Sequence, residues 1–328
     1  MARKRNTDEE HDLQVAGIPL RENGGVIDAV VLDEKENTVS HKDIGAITAT
    51  ELDGITINRT KSKLDPFIDI RKERLVDKLT GAPSRAFAVW VPDPDAPQGW
   101  RDMGTVSENY LLLTNREVRQ LALDVAEESG LPHRESRIFW DGARFAHIID
   151  FVETHEEVSE GDGVGLSLIT RTSYDRSWRF EAALMGKRFA CDNGVLSGEF
   201  FARVSFKHTQ NGGGDRDAWK EIVRQGLGVV SQAGDNLARF VEGLRRLKRH
   251  PMTDGHLRAV WSDLGKLGDT LRGKVIQRYV RHEEPTLYGL LNAGTNVFWH
   301  NKKMTSADFA NNDLFVTVLM TYAFEHLN

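Results

Sequence analysis

The order of hydrophobic periodicities constrains this chain more than any other feature. A single clear helical pattern comes first, strand-like runs follow with no helix between them, and helical patterns then fill the rest. Over 116–129 the residues Val118, Leu121, Ala122, Val125 and Ala126 recur at helical spacing, Asn115 can cap the start, and Gly130 with Pro132 closes the segment. RIFW, ARFAHIIDF, GLSLITRTS, SWRFEAAL, GKRFAC and FFARVSFKH then read as strands, with Asp141-Gly142 as a hairpin signal between the first two. Strands that succeed one another this way are not βαβ units. The fold class expected is α+β, a mostly antiparallel sheet with a preceding helix and a C-terminal helical region.

Three segments follow from the same pass. Residues 1–45 mix charges with scattered apolar residues and no sustained period, which predicts a flexible N-terminal arm. Residues 46–210 form the sheet domain; within it ITATELDGITI and AFAVWV alternate like strands, and VPDPDAPQGW (91–100) is read as a loop because it is dense in turn formers. Residues 211–328 form a helical region packed on the sheet. Its first pattern, 217–249, places Ile222, Val229, Ala233, Leu237, Phe240, Val241 and Leu244 on one stripe; others cover about 254–282, 286–299 and 307–327. With 40% hydrophobic and 28% charged residues, the composition is that of a globular protein with a real core. One cysteine, Cys191, excludes a disulfide framework and a cysteine zinc ribbon. No apolar run reaches the roughly 18–20 residues of a membrane helix and the start lacks a signal-peptide segment, so a soluble intracellular protein is expected.

Charge is segregated. Residues 216–282 carry fourteen Lys/Arg against seven Asp/Glu, a net of +7, which leaves −13 elsewhere in a chain of net charge −6. A basic segment in an acidic protein fits a phosphate-binding surface, and Arg245, Arg246, Lys248 and Arg249 are its sharpest piece; an ordinary charged helix face fits it as well. In FFARVSFKH, strand alternation puts Phe201, Arg203, Ser205 and Lys207 on one face and Phe200, Ala202, Val204 and Phe206 on the other. The first face is a candidate for stacking bases and holding phosphates, extended by Arg179, Lys187 and Arg188 on neighbouring strands; a solvated sheet face is the plainer alternative.

Chemical motifs are sparse. Gly268 to Lys274 has the glycine and lysine spacing of a phosphate loop, but Val275 stands where a magnesium-binding hydroxyl is needed and the string lies between helical patterns. No histidine pair has metal-ligand spacing, so no metal or cofactor is expected. The acidic run Glu153, Glu156, Glu157, Glu160 and Asp162 reads as a solvated loop. Cys191 and His208 are weak candidates for a nucleophile and base.

More specific is a resemblance. Arg188-Phe-Ala-Cys191-Asp-Asn193-Gly194-Val-Leu-Ser-Gly198, preceded by Ser173-Tyr-Asp175-Arg-Ser177, resembles the central signature of the phage- and plasmid-borne family called domain of unknown function 932. Val106-Ser-Glu-Asn-Tyr110 with Asn115-Arg-Glu, Arg203 with His208, and Tyr288-Gly-Leu-Leu-Asn292-Ala-Gly-Thr295 resemble its flanking segments, so that the likeness covers roughly 105–300. Two positions depart from the pattern: Arg176 stands where a glycine is usual, and Gly294 replaces an apolar residue. Asn193, Gly194 and Asn292 are read as structural, Asn193-Gly194 as a tight turn.

The resemblance implies a bacteriophage or plasmid protein in the cytoplasm of its bacterial host. The order helix, antiparallel strands, long helix is also similar to phage single-strand annealing proteins of the Red-beta, RecT and Erf kind, an analogy of element order alone. The function expected is nucleic-acid binding, of single-stranded DNA in replication, recombination or annealing, as a homo-oligomer away from membranes. Two alternatives remain: an interaction protein acting on a protein partner, such as an anti-restriction or host-takeover factor, and an enzyme using Cys191 with Asp192, Asn193 and His208.

Overall fold

The computed structural model describes residues 48–52, 55–59, 64–188, 194–195, 201–208, 217–228, 233–265, 267–299 and 306–327. The proposed arm, residues 1–45, lies outside them. Eleven strands and seven helices occur among the described residues. The strands are β1 (Thr48–Leu52), β2 (Ile55–Arg59), β3 (Arg71–Val76), β4 (Pro83–Pro92), β5 (Trp100–Ser107), β6 (His133–Trp140), β7 (Arg144–Ser159), β8 (Asp162–Ser173), β9 (Phe180–Arg188), β10 (Gly194–Val195) and β11 (Arg203–Phe206). The helices are α1 (Asn115–Glu128), α2 (Ala218–Leu227), α3 (Ala233–Arg249), α4 (Asp254–Asp263), α5 (Asp269–His282), α6 (Leu287–Trp299) and α7 (Ser306–His326).

A large sheet runs β1-β2-β6-β7-β8-β9-β10, with β11 also on β9, and a small sheet runs β3-β4-β5. Every pairing is antiparallel except β2 with β6. The class is α+β, because every helix but α1 comes in a block after the strands and the consecutive strands β6 to β9 neighbour one another directly. The hairpin between β6 and β7 forms where Asp141-Gly142 places it: Asp141 Oδ1 accepts from Ala143 and Arg144 N–H, and Gly142 takes φ 93°.

Helix α1 starts one residue earlier than Asn115 capping implies. Thr114 is the N-cap, and its hydroxyl accepts from Glu117 N–H while the Glu117 carboxylate accepts from Thr114 N–H, a capping box. Val118, Leu121, Ala122, Val125 and Ala126 are buried beneath it. The long pattern 217–249 resolves into two helices. α2 buries Trp219, Val223 and Leu227, which turns Ile222 outward to 55% exposure, and α3 buries Leu237, Phe240, Val241, Leu244 and Leu247. The string resembling a phosphate loop is helical: Gly268 is the N-cap of α5 and Lys274 lies in its second turn.

Strands β8 and β9 and the first half of β7 are buried on both faces. One face sends Ile149, Phe151, Leu166, Leu168, Phe180 and Leu184 into the main core with α1 and α3, and the other packs Ala146, Ile148, Ile169, Ala183 and Met185 with Trp178, Trp299 and Phe309. Helix α6 is enclosed along most of its length, and Asn292 is buried on it. It meets α7 closely at Gly294, where a Cβ would lie 2.1 Å from the Phe315 ring. A glycine at this departure from the family pattern lets the aromatic ring sit against helix backbone. Among the described residues no helix is long and apolar enough to cross a membrane.

Candidate nucleic-acid interface

The structure disperses the basic cluster of α3. Arg245 Nε donates to the Glu157 carbonyl at 2.9 Å and its guanidinium lies 3.3 Å from Glu156, while Lys248 Nζ donates to Ser159 Oγ at 2.7 Å and lies 4.0 Å from Asp162 and Glu284. Arg246 and Arg249 turn to Glu242, at 3.4 and 3.2 Å, and Arg246 also reaches the Leu327 carbonyl. Helical spacing sends the two pairs to different neighbours, so the four do not form one track. The acidic run that meets Arg245 and Lys248 is mostly strand: Glu153, Glu156 and Glu157 lie in β7, Asp162 opens β8, and Glu160 is in the turn between them. Its hairpin turns at Gly161, φ 75°, and Asp162 is buried, bonded to Arg188 at 2.9 Å and to the Tyr288 hydroxyl at 2.9 Å.

The predicted stacking face is also corrected. β11 begins at Arg203, so strand alternation does not extend back to Phe201, whose side chain is 3% exposed with its ring 5.3 Å from that of Phe240. Arg203 bridges Glu181 at 2.7 Å and Asp313 at 2.8 Å, and Lys187 is buried against Asp150 at 3.0 Å, whose carboxylate also accepts from Ser167. Glu181 holds a second, buried cation, Arg171, whose guanidinium lies 3.5 Å from the Phe309 ring centroid. Desolvated charges of this kind persist only when paired, and these pairs fasten β8, β9, β11 and α7 together. Arg179 and Lys207 behave differently. Both are exposed, and they flank the Phe180↔Phe206 pair at the same end of β9 and β11.

Cys191 and Asn193 lie outside the described residues, as does Asp192, while Gly194 pairs with Lys187 in β10. His208 is buried between two tethers. Its Nδ1 is 3.2 Å from the Leu111 carbonyl, its Nε2 is 3.2 Å from Thr172 Oγ1, and its ring stacks on Tyr110. Burial holds its pKa below the ordinary range, which keeps the imidazole neutral. The Ser173-to-Ser177 turn is built by Ser173 Oγ, which accepts from Trp178 N–H at 2.9 Å, and by Asp175, which accepts from Ser177 N–H. Arg176 adopts φ 65° within it, the left-handed conformation that accounts for a glycine being usual there.

One surface went unrecognised in the sequence. The segment read as a loop over 91–100 is the end of β4, a turn, and the start of β5; Asp93 accepts from Asp95 N–H and pairs with Arg101, and Gly99 takes φ 72°. Val89 and Val91 are fully buried in the main core. Trp90 therefore points to the other face, directly opposite Arg71 on β3. Trp100, opposite Pro92, shares that face, and the Arg71 guanidinium lies 4.5 Å from its ring centroid. Both tryptophans are partly exposed, and Arg71 is 61% exposed. Two tryptophans about one diagonal step apart with a stacked guanidinium make an aromatic surface, in which Glu73 lies 3.8 Å from Arg71 and Asp102 is opposite Trp90. The alternation in AFAVWV and the tryptophan just after the turn were the signals available in the sequence.

The architecture is that of an α+β protein with a charge-pinned antiparallel sheet and no motif of known chemistry among the described residues. The family model described as Domain of unknown function (DUF932) matches residues 102–316, and the chain belongs to that family. No curated protein and no solved structure matches it. The match begins within β5, so β3, β4 and all three named residues of the tryptophan face, Arg71, Trp90 and Trp100, lie N-terminal to the matched region.

Proposed function

We propose that this chain binds single-stranded nucleic acid, with the outer face of the small sheet as its base-stacking platform. The observation that carries the reading is the placement of Trp90 and Trp100 on the face turned away from the core, with Arg71 over Trp100. Every base offers a π face, so stacking on indoles is tolerant of sequence, and a guanidinium beside them meets the phosphates. Arg179 and Lys207 serve as phosphate contacts of the same chain, whereas the α3 cations serve the fold. The DUF932 signature and the phage setting it implies support a role in replication, recombination or annealing of phage or plasmid DNA, with the chain acting as a homo-oligomer in the bacterial cytoplasm.

Fluorescence anisotropy with labelled single-stranded and duplex oligonucleotides across a salt series tests this, with sizing of free and bound protein. Wild type should prefer single strands, with an affinity that falls with salt. Trp90→Ala and Trp100→Ala should each weaken binding by about 5- to 150-fold, the range for loss of one base stack. Joint replacement of Arg179 and Lys207 by Glu should flatten the salt slope by about one unit for each phosphate no longer neutralised. No binding at low salt, or binding indifferent to both tryptophans, overturns the proposal.

A further inference from the structure

The small sheet ends in a hairpin tip with an unusual apex. Every residue from Val76 to Pro83 is exposed, and the two most exposed large hydrophobics near it are Leu79 at 95% and Val76 at 64%. A lone exposed leucine needs no explanation, but this one is held outward by a dense set of bonds. Asp77 Oδ1 accepts from Leu79 N–H at 3.0 Å, Thr80 N–H at 2.8 Å and Thr80 Oγ1 at 2.9 Å. The Asp77 carbonyl accepts from Gly81 N–H at 2.8 Å, Asp77 N–H donates to the Ala82 carbonyl at 2.8 Å, and Gly81 takes φ 68°. The turn is ordered before anything binds, so the entropy of presenting Leu79 is already met. Lys78 beside it and Arg85 on the returning strand are exposed cations, and Asp77, the exposed acid of the tip, has Oδ1 bonded within the turn. An apolar apex between cations is complementary to a base step between phosphates.

We propose that Leu79 is a wedge that enters the base stack where a bound single strand meets duplex. The inference rests on the nucleic-acid reading above and gives that same small sheet a junction specificity. Apolar side chains inserted at a base step unstack it, and the tryptophan platform at the far end of the same β3–β4 ladder, about 20 Å along the strands, would receive the strand so released.

The test uses the full chain and a partial duplex with a single-stranded overhang, carrying 2-aminopurine at the junction. Wild type should raise the junction fluorescence and bind the partial duplex more tightly than the overhang strand alone. Leu79→Ala should keep its affinity for the single strand, lose the fluorescence rise, and lose about tenfold in junction preference, while Leu79→Met should retain both. Single-strand binding together with an unchanged junction signal in Leu79→Ala overturns the wedge and leaves the function standing. A change in oligomer size in Leu79→Ala without any change in junction behaviour also overturns it, identifying the tip as a protein contact. Failure of wild type to bind any oligonucleotide overturns both readings.

Discussion

Gly294→Ala adds one methyl group where α6 crosses α7. The new Cβ would stand 2.1 Å from Phe315 Cε1 and 2.6 Å from Cδ1 and Cζ. Carbon atoms pack at about 3.5–4.0 Å, so ring or helix must withdraw by about 1.4 Å or more. Phe315 has no room to yield: it is fully buried, with Phe298 5.7 Å and Trp261 6.3 Å away between centroids. Overpacking of this kind costs about 1–3 kcal/mol. Alanine in place of glycine returns about 0.8–1.0 kcal/mol of helix propensity. A net loss of up to about 2 kcal/mol follows, read as a lower urea midpoint and a Tm lower by up to about 3 °C. A double-mutant cycle with Phe315→Leu isolates the clash. With the ring gone, Gly294→Ala should be neutral or slightly stabilising, a coupling of at least about 1 kcal/mol. Coupling below about 0.5 kcal/mol, the additivity expected of independent sites, would refute the reasoning.

Two further outcomes follow from particular sites. Arg176→Gly should stabilise the protein by about 0.5 kcal/mol, since a left-handed L-residue costs about 1–2 kcal/mol and glycine gives back about 0.5–1 in chain entropy; equal or lower stability in urea would contradict it. The second concerns acid. His147 Nε2 lies 2.8 Å from Glu135 and Arg119 Nε lies 2.7 Å from the same carboxylate. Burial opposes the Glu135 charge, yet hydrogen bonds from His147 and Arg119 hold it down at about 2 from an ordinary 4.5, and burial lowers His147 from 6.5. Both groups bind fewer protons folded than unfolded, so their contribution is complete above pH 6.5. It falls first as His147 protonates in the unfolded chain, then between pH 4.5 and about 2 through Glu135. Urea midpoints against pH should show this limb, and Glu135→Gln should flatten its lower part.

Local signals in the sequence carried the local structure. The stripe from Val118 to Ala126 and the Asp141-Gly142 turn need only near neighbours, and both formed. The cap was misassigned although Thr114-x-x-Glu117 spells the box that closes it. What was illegible depends on partners distant in the chain. Nothing local tells that Arg245 will meet Glu156 and Glu157, or that Asp162 will be buried under Arg188 and Tyr288, and so a paired ionic network looked like a basic track beside an acidic loop. Phe201 departs from the pattern for another reason: it lies two residues before the strand whose alternation would orient it. The tryptophan face is hidden in the sequence because the proline and aspartate density of the turn masks the strands on either side of it.

The parallel pairing of β2 with β6 has a consequence for how this sheet is finished. The matched family region starts at residue 102, so it contains β6 but neither β1 nor β2. Without them β6 would present an unsatisfied row of backbone amides and carbonyls, with Ile138 and Trp140 next to it, and such a border recruits foreign strands. The short hairpin of β1 and β2 closes that border with a segment from the chain's own N-terminal side and leaves β1, a five-residue strand of sequence TATEL, as the outermost strand among the described residues. A sheet bordered in this way gains its tolerance of crowding from a hairpin that lies outside the matched family region.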